Sequence, residues 1–166
     1  MRTVVIGSGS WGTALAQVLQ DNHQEVLVYG VAEAEVNDIN ENHKNSKYFG
    51  DVELNPELKA TTDIQCVKGA DIVLLAVPTI AIDPICHQIN DILDKKTIII
   101  NVSKGFHPET NERMSEVIRR CIDEDKLSSV VSLIGPSHAE EVVIRLLTTI
   151  DAISLNNEDA VTVQNL

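Results

Sequence analysis

The chain has 166 residues, enough for one domain with its own core, and a net charge of −12. That charge argues against a nucleic-acid-binding surface, since phosphate backbones call for clustered Lys and Arg. It does not exclude a small anionic ligand, which a few backbone N–H groups and one lysine can hold locally. Hydrophobic residues make up 43% of the chain and aromatics only 3%, so the core must rest on Val, Ile, Leu and Ala. No apolar run approaches the roughly 20 residues that span a bilayer, and MRTVVIG reads as a first strand rather than a signal peptide. Cys66, Cys86 and Cys121 are far apart and fit neither a zinc pattern nor a disulfide framework. They read as reduced, partly buried thiols of a cytoplasmic protein.

Thr3 to Ile6 is a short β-branched run ending in glycine, a strand signal. Residues 13 to 19 place Ala14, Leu15, Val18 and Leu19 at helical spacing. Residues 25 to 29 form a second strand, and residues 31 to 42 a helix with Val36 and Ile39 inward. Residues 43 to 58, with Gly50 and Pro56, read mostly as loop, and 58 to 61 as a short strand. DIVLLAV, residues 71 to 77, is continuously apolar, as a parallel strand buried on both faces should be, and Pro78 stops it. A helix over 80 to 93 containing Pro84 follows, then a buried strand over 97 to 102 and an amphipathic helix over 111 to 122. Beyond these come a strand over 130 to 134, a helix over 139 to 146, a strand over 149 to 155 and a helix from 158 onward. That last segment has no stop signal, which suggests a domain cut from a longer enzyme. Strands alternating with helices imply right-handed crossovers and an α/β fold of Rossmann type: a doubly wound, mainly parallel sheet with helices on both faces. The whole of residues 1–166 is expected to be one dinucleotide-binding domain.

Three stretches carry candidate chemistry. GSGSWG, residues 7 to 12, follows a strand directly and opens a helix, the setting a dinucleotide fingerprint requires. Gly7 permits the tight turn, Gly9 lets a pyrophosphate approach the backbone, and Gly12 lets the helix pack closely on the strand. Ser10 adds a hydroxyl donor. The competing reading is a turn that binds nothing. The acid expected about 20 residues further on, for the ribose 2′-hydroxyl, is not in register. Tyr29, Gly30, Val31 and Ala32 stand there, Glu33 is slightly late, and no Arg or Lys is adjacent to take a 2′-phosphate. NAD or NADP therefore stays an open choice, with Glu33 tilting it towards NAD.

The second stretch, NVSKGFHPET at 101 to 110, puts Lys104 beyond the carboxyl end of a strand, where ligands of open α/β sheets bind. A solvated surface lysine explains that position equally well. The third, GPSHAEEV at 135 to 142, reads as a turn with Ser137 as helix N-cap and Glu140 completing a capping box. Its helix would face the same crevice. His138 has no identified partner and reads as a surface or packing residue rather than an acid or base.

Together GSGSWGTALA, VSKGFHPET and GPSHAEEV, in this order and separation, resemble the bacterial-type NAD(P)-dependent glycerol-3-phosphate dehydrogenases. The resemblance extends through LKATTD at 58 to 63 and DAISL at 151 to 155, and covers the N-terminal half of such an enzyme. It implies reversible reduction of dihydroxyacetone phosphate to sn-glycerol 3-phosphate with NAD or NADP, supplying phospholipid synthesis. By motif it implies that Gly7, Gly9, Ser10, Trp11, Gly12, Lys104 and Ala139 bind cofactor. It assigns substrate contacts to Lys104, Gly135 and Ser137. It also implies a homodimer, and a general acid-base lysine on a C-terminal helical domain that no residue here matches. The chain alone is thus expected to be inactive. Val31 departs from the family, which often carries His or Arg there. The alternatives are a hydroxyacid or ketopantoate-type reductase on the same scaffold, and a non-catalytic NAD(H)-sensing module.

Overall fold

A computed structural model describes residues 1–166. Seven strands form one sheet in the order β3-β2-β1-β4-β5-β6-β7. They are β1 Arg2–Ile6, β2 Glu25–Tyr29, β3 Lys59–Thr61, β4 Ile72–Leu75, β5 Thr97–Asn101, β6 Leu127–Ile134 and β7 Asp151–Ile153. All neighbours pair in parallel except β7, which runs antiparallel to β6. Residues in β4 and β5 are buried throughout, which is why both read as unbroken apolar runs.

The helices are α1 Ser10–Asp21, α2 Glu33–Asn37, α3 Ser46–Phe49, α4 Thr79–Asn90, α5 Met114–Cys121, α6 Ala139–Val143 and α7 Asn157–Gln164. One face of the sheet packs on α1, α6 and α7, with Ala14, Leu15, Val142 and Val163 in its core. The other packs on α4 and α5 through Ile82, Cys86, Ile89, Val117 and Ile118. None of these helices is long and apolar enough to cross a membrane.

The expected helix over 31 to 42 divides: α2 passes into a π-type turn at Asp38–Asn42, closed by His43 at φ 53°. Val36 and Ile39 still point inward. The expected loop at 43 to 58 contains α3. In α1, Val18 faces outward and Gln17 is buried in its place. The Gln17 carbonyl is satisfied there by the Asn55 N–H at 2.7 Å, so a polar side chain fills an inward position at little cost. The last helix is capped at its start, where the Asn156 side chain accepts from the N–H groups of Glu158 and Asp159.

The strand order reverses between β1 and β4. The chain leaves β1 towards β2 and β3, then returns to place β4 on the other side of β1. The loops after β1 and β4 therefore diverge and open a crevice at the carboxyl edge, where open α/β sheets bind ligands.

Candidate functional site: a groove at the switch point

The glycine loop leaves β1 at Gly7, whose φ of +117° is open to glycine alone at little strain. Its N–H donates to the Tyr29 carbonyl at 2.8 Å, fixing the turn to the end of β2. Gly12 sits where α1 crosses that turn. A Cβ there would lie 2.0 Å from the Gly7 carbonyl oxygen. Gly9 differs from both: a Cβ on it would meet nothing within 4 Å, so its open side faces the groove. Gly9 caps α1 without a side-chain hydrogen bond, and the N–H groups of Ser10, Trp11 and Gly12 take no acceptor within the chain. Three free amides at the positive end of a 12-residue helix form an arrangement suited to an anionic group.

The groove, about 670 Å³, is bounded by this loop, by Tyr29 and Val31 after β2, and by Ala76, Val77 and Pro78 after β4. Its size falls within the range typical of cofactor sites. The loop is braced from beneath. Asn45 is buried, and its Nδ2 donates to the Ser8 carbonyl and to Thr13 Oγ1, both at 2.8 Å. Ser8 Oγ donates to Glu35 Oε2 at 2.5 Å, and Glu35 Oε1 pairs with Lys47 Nζ at 2.7 Å. Burial pushes the Glu35 carboxyl upward, but the hydrogen bonds from Lys47 and Ser8 together hold it below the usual carboxylate range.

A second hollow, about 310 Å³, brings the three motifs together: Ser10 and Trp11, Lys104, and Ser137, His138 and Ala139 line it. Lys104 is exposed and has no ion-pair partner. Its loop is anchored by Ser103, whose Oγ donates to the Val77 carbonyl at 2.5 Å and whose N–H donates to Asn101 Oδ1. Lys104 also borders the adjoining cleft of about 860 Å³ with Gly135 and Pro136. Gly135 has a packing reason of its own, because a Cβ there would lie 2.6 Å from the Thr149 carbonyl oxygen.

Three sequence-based expectations need correction. Ser137 is not the N-cap of α6; His138 holds that position without a side-chain bond, and Ser137 Oγ points back to the Gly135 carbonyl at 3.5 Å. The helix therefore begins a residue later than the capping-box pattern implied. The acid near the loop is Glu35 rather than Glu33, which is exposed at the start of α2. A lysine does reach this end of the groove: Lys47 arrives from α3, some 16 residues beyond Val31 in the chain. His138 is exposed and engages no side chain. Burial pushes the thiols up, Cys66 to about 11 and Cys86 to about 12, which disfavours the reactive thiolate.

Residues 2–161 match the family model for the N-terminus of NAD-dependent glycerol-3-phosphate dehydrogenase. The chain belongs to that family. A glycerol-3-phosphate dehydrogenase [NAD(P)+] of Listeria monocytogenes is 48% identical over 152 residues, covering 91% of this chain and 45% of the relative. That of Streptococcus uberis is 41% identical over 166 residues, 99% of this chain and 49% of the relative. The crystal structure of glycerol-3-phosphate dehydrogenase from Coxiella burnetii superposes with a TM-score of 0.89 at 26% identity, over 99% of this chain and 50% of that one. The chain thus spans about half the length of the relatives it matches. Family membership sets aside the hydroxyacid and ketopantoate-type reductases.

Proposed function

We propose that this chain is the dinucleotide-binding half of an enzyme that interconverts dihydroxyacetone phosphate and sn-glycerol 3-phosphate with NAD(H) or NADP(H). The observation that supports it most is the pairing of an open Gly9 with three unsatisfied amides at the start of α1, in a chain of this family. On this reading Gly7 and Gly12 shape the cradle, Gly9 admits the pyrophosphate, and the amides of Ser10, Trp11 and Gly12 bind it. The nicotinamide ring supplies the hydride chemistry when the cofactor is bound. Trp11 and Ala139, which meet in the smaller hollow beside the groove, flank the nicotinamide end. Lys104, unpaired and at the junction of the two clefts, places a positive charge beside cofactor and substrate, where it favours charge developing on the substrate oxygen. Gly135 and Ser137 line the substrate side. The product would feed phospholipid synthesis in the cytoplasm, and the whole enzyme would be a homodimer with no membrane-inserted part.

The acid-base lysine implied by the family has no counterpart among these residues, so the chain binds without turning over. Trp11, the only tryptophan, lies in the groove. Titration with NADH or NADPH is expected to quench its fluorescence saturably, with no oxidation of NADH when dihydroxyacetone phosphate is added. Absence of quenching by both would overturn the assignment of the groove, and turnover would overturn the assignment of the lysine.

A further inference from the structure

We propose that Lys47 reads the adenosine-ribose end of the dinucleotide by binding the 2′-phosphate of the phosphorylated cofactor, with Glu35 as its resting partner. The inference rests on the assignment of the groove above and adds how the groove accommodates a phosphorylated ribose. With the pyrophosphate at the start of α1, the adenosine ribose falls at the carboxyl end of β2. The residues next after β2 offer no charge there, and Val31 is 85% exposed. Glu35 and Lys47 are the only charged groups lining this groove.

The two differ in how firmly they are held. Glu35 is 8% exposed and tied to the glycine loop through Ser8, over which Gly30 passes so closely that a Cβ on it would lie 2.3 Å from Ser8 Oγ. Lys47 is attached to Glu35 alone by a charged contact, and its side chain is 64% exposed above the Tyr48 ring. A fixed carboxylate and a movable ammonium suit two ligands. With an unphosphorylated ribose, the carboxylate accepts a hydroxyl and Lys47 stays where it is. With a 2′-phosphate, the carboxylate alone would repel the ligand, and Lys47 placed between the two anions removes that penalty. Asp38 does not compete for Lys47, since its carboxylate is taken by the Ser46 N–H and the Asn42 amide. Lysine, as a compact point charge on a long stem, makes this swing without a fixed fork geometry to satisfy.

The test is parallel titration of NADPH and NADH against the 166-residue chain, read by Trp11 fluorescence, in the unaltered protein and in Lys47→Met and Lys47→Arg. Lys47→Met is expected to weaken NADPH by about tenfold or more and NADH by less than about twofold, the loss of one charge-assisted contact. Lys47→Arg is expected to recover most of the NADPH affinity. On the unaltered chain, adenosine 2′,5′-bisphosphate is expected to compete better than 5′-AMP, which lacks only the 2′-phosphate, and more so at low salt. Equal weakening of both dinucleotides, or equal competition by the two mononucleotides, overturns the proposal while leaving the groove assignment intact. Failure of the unaltered chain to respond to either dinucleotide overturns both.

Discussion

Gly9 and Gly12 stand three residues apart at the start of α1, and the structure separates what they do. Consider Gly12→Ala. The added methyl lies 2.0 Å from the Gly7 carbonyl oxygen and 3.1 Å from Ala76 Cβ. Ordinary contact requires a retreat of more than about 1 Å, and the obstruction is backbone, not a movable side chain. That backbone cannot give easily, since Gly7 is held at positive φ and hydrogen-bonded to Tyr29. The start of α1 must lift, disturbing its packing on the sheet. Overpacking of this kind costs about 3 kcal/mol or more, which lowers Tm by about 6–12 °C in a domain of this size. Gly9→Ala meets nothing within 4 Å and keeps a φ of −70° that alanine adopts freely. Its poorer capping and its stiffer unfolded chain oppose each other, leaving stability within about 1 kcal/mol of the parent. Yet its methyl occupies the approach to the three amides, so dinucleotide affinity is expected to fall by about tenfold or more. Thermal unfolding followed by circular dichroism, beside Trp11 titration with NADH, measures both quantities. A Gly12→Ala protein as stable as the parent, or a Gly9→Ala protein that binds NADH normally, would refute the division.

Two further outcomes follow from the same geometry. Lys104→Met is expected to leave the urea midpoint unchanged, because the side chain is exposed and unpaired, while weakening dinucleotide binding severalfold; a loss of stability without a loss of binding would make Lys104 a structural residue. Asp71 accepts from Lys95 Nζ and from the Arg2 N–H, bonds that hold its carboxyl below the usual value of 3.8. Its contribution to stability is therefore fully present above about pH 5 and is lost as pH falls through 4 and below. Urea unfolding from pH 7 to pH 3 should show a shallower decline for Asp71→Asn than for the parent, and identical slopes would mean that the bonds to Asp71 do not favour its ionised form.

Much of the fold was legible in the chain because it is written locally. Alternating apolar runs and helical spacings located the seven strands, with β2 placed at the residues observed. The uninterrupted apolar character of β4 and β5 identified buried parallel strands. The Gly7, Gly9 and Gly12 spacing was readable because each glycine answers a constraint within a few residues: a turn, an approach, a crossing. Short-range polar detail was less legible. Ser137 and Glu140 had the capping pattern, but the helix starts past Ser137, whose hydroxyl turns back to the Gly135 carbonyl. Gln17 replaced Val18 on the inner side of α1 because a distant loop amide was there to satisfy it.

What the sequence by itself determined, then, was the α/β order, the glycine loop between β1 and α1, and the three motifs that resemble one enzyme family. What only the tertiary structure decided was which charged groups stand at the end of the groove beside β2. Glu35 and Lys47 belong to separate short helices, and neither carries a periodicity or spacing that marks it. They meet because β3 returns beside β2 and draws the segment between them over the glycine loop, where Asn45 and Ser8 fix it. A local pattern can be read from neighbours along the chain. A pair made by chain return has no such signal, because its partners are set by how the layers close.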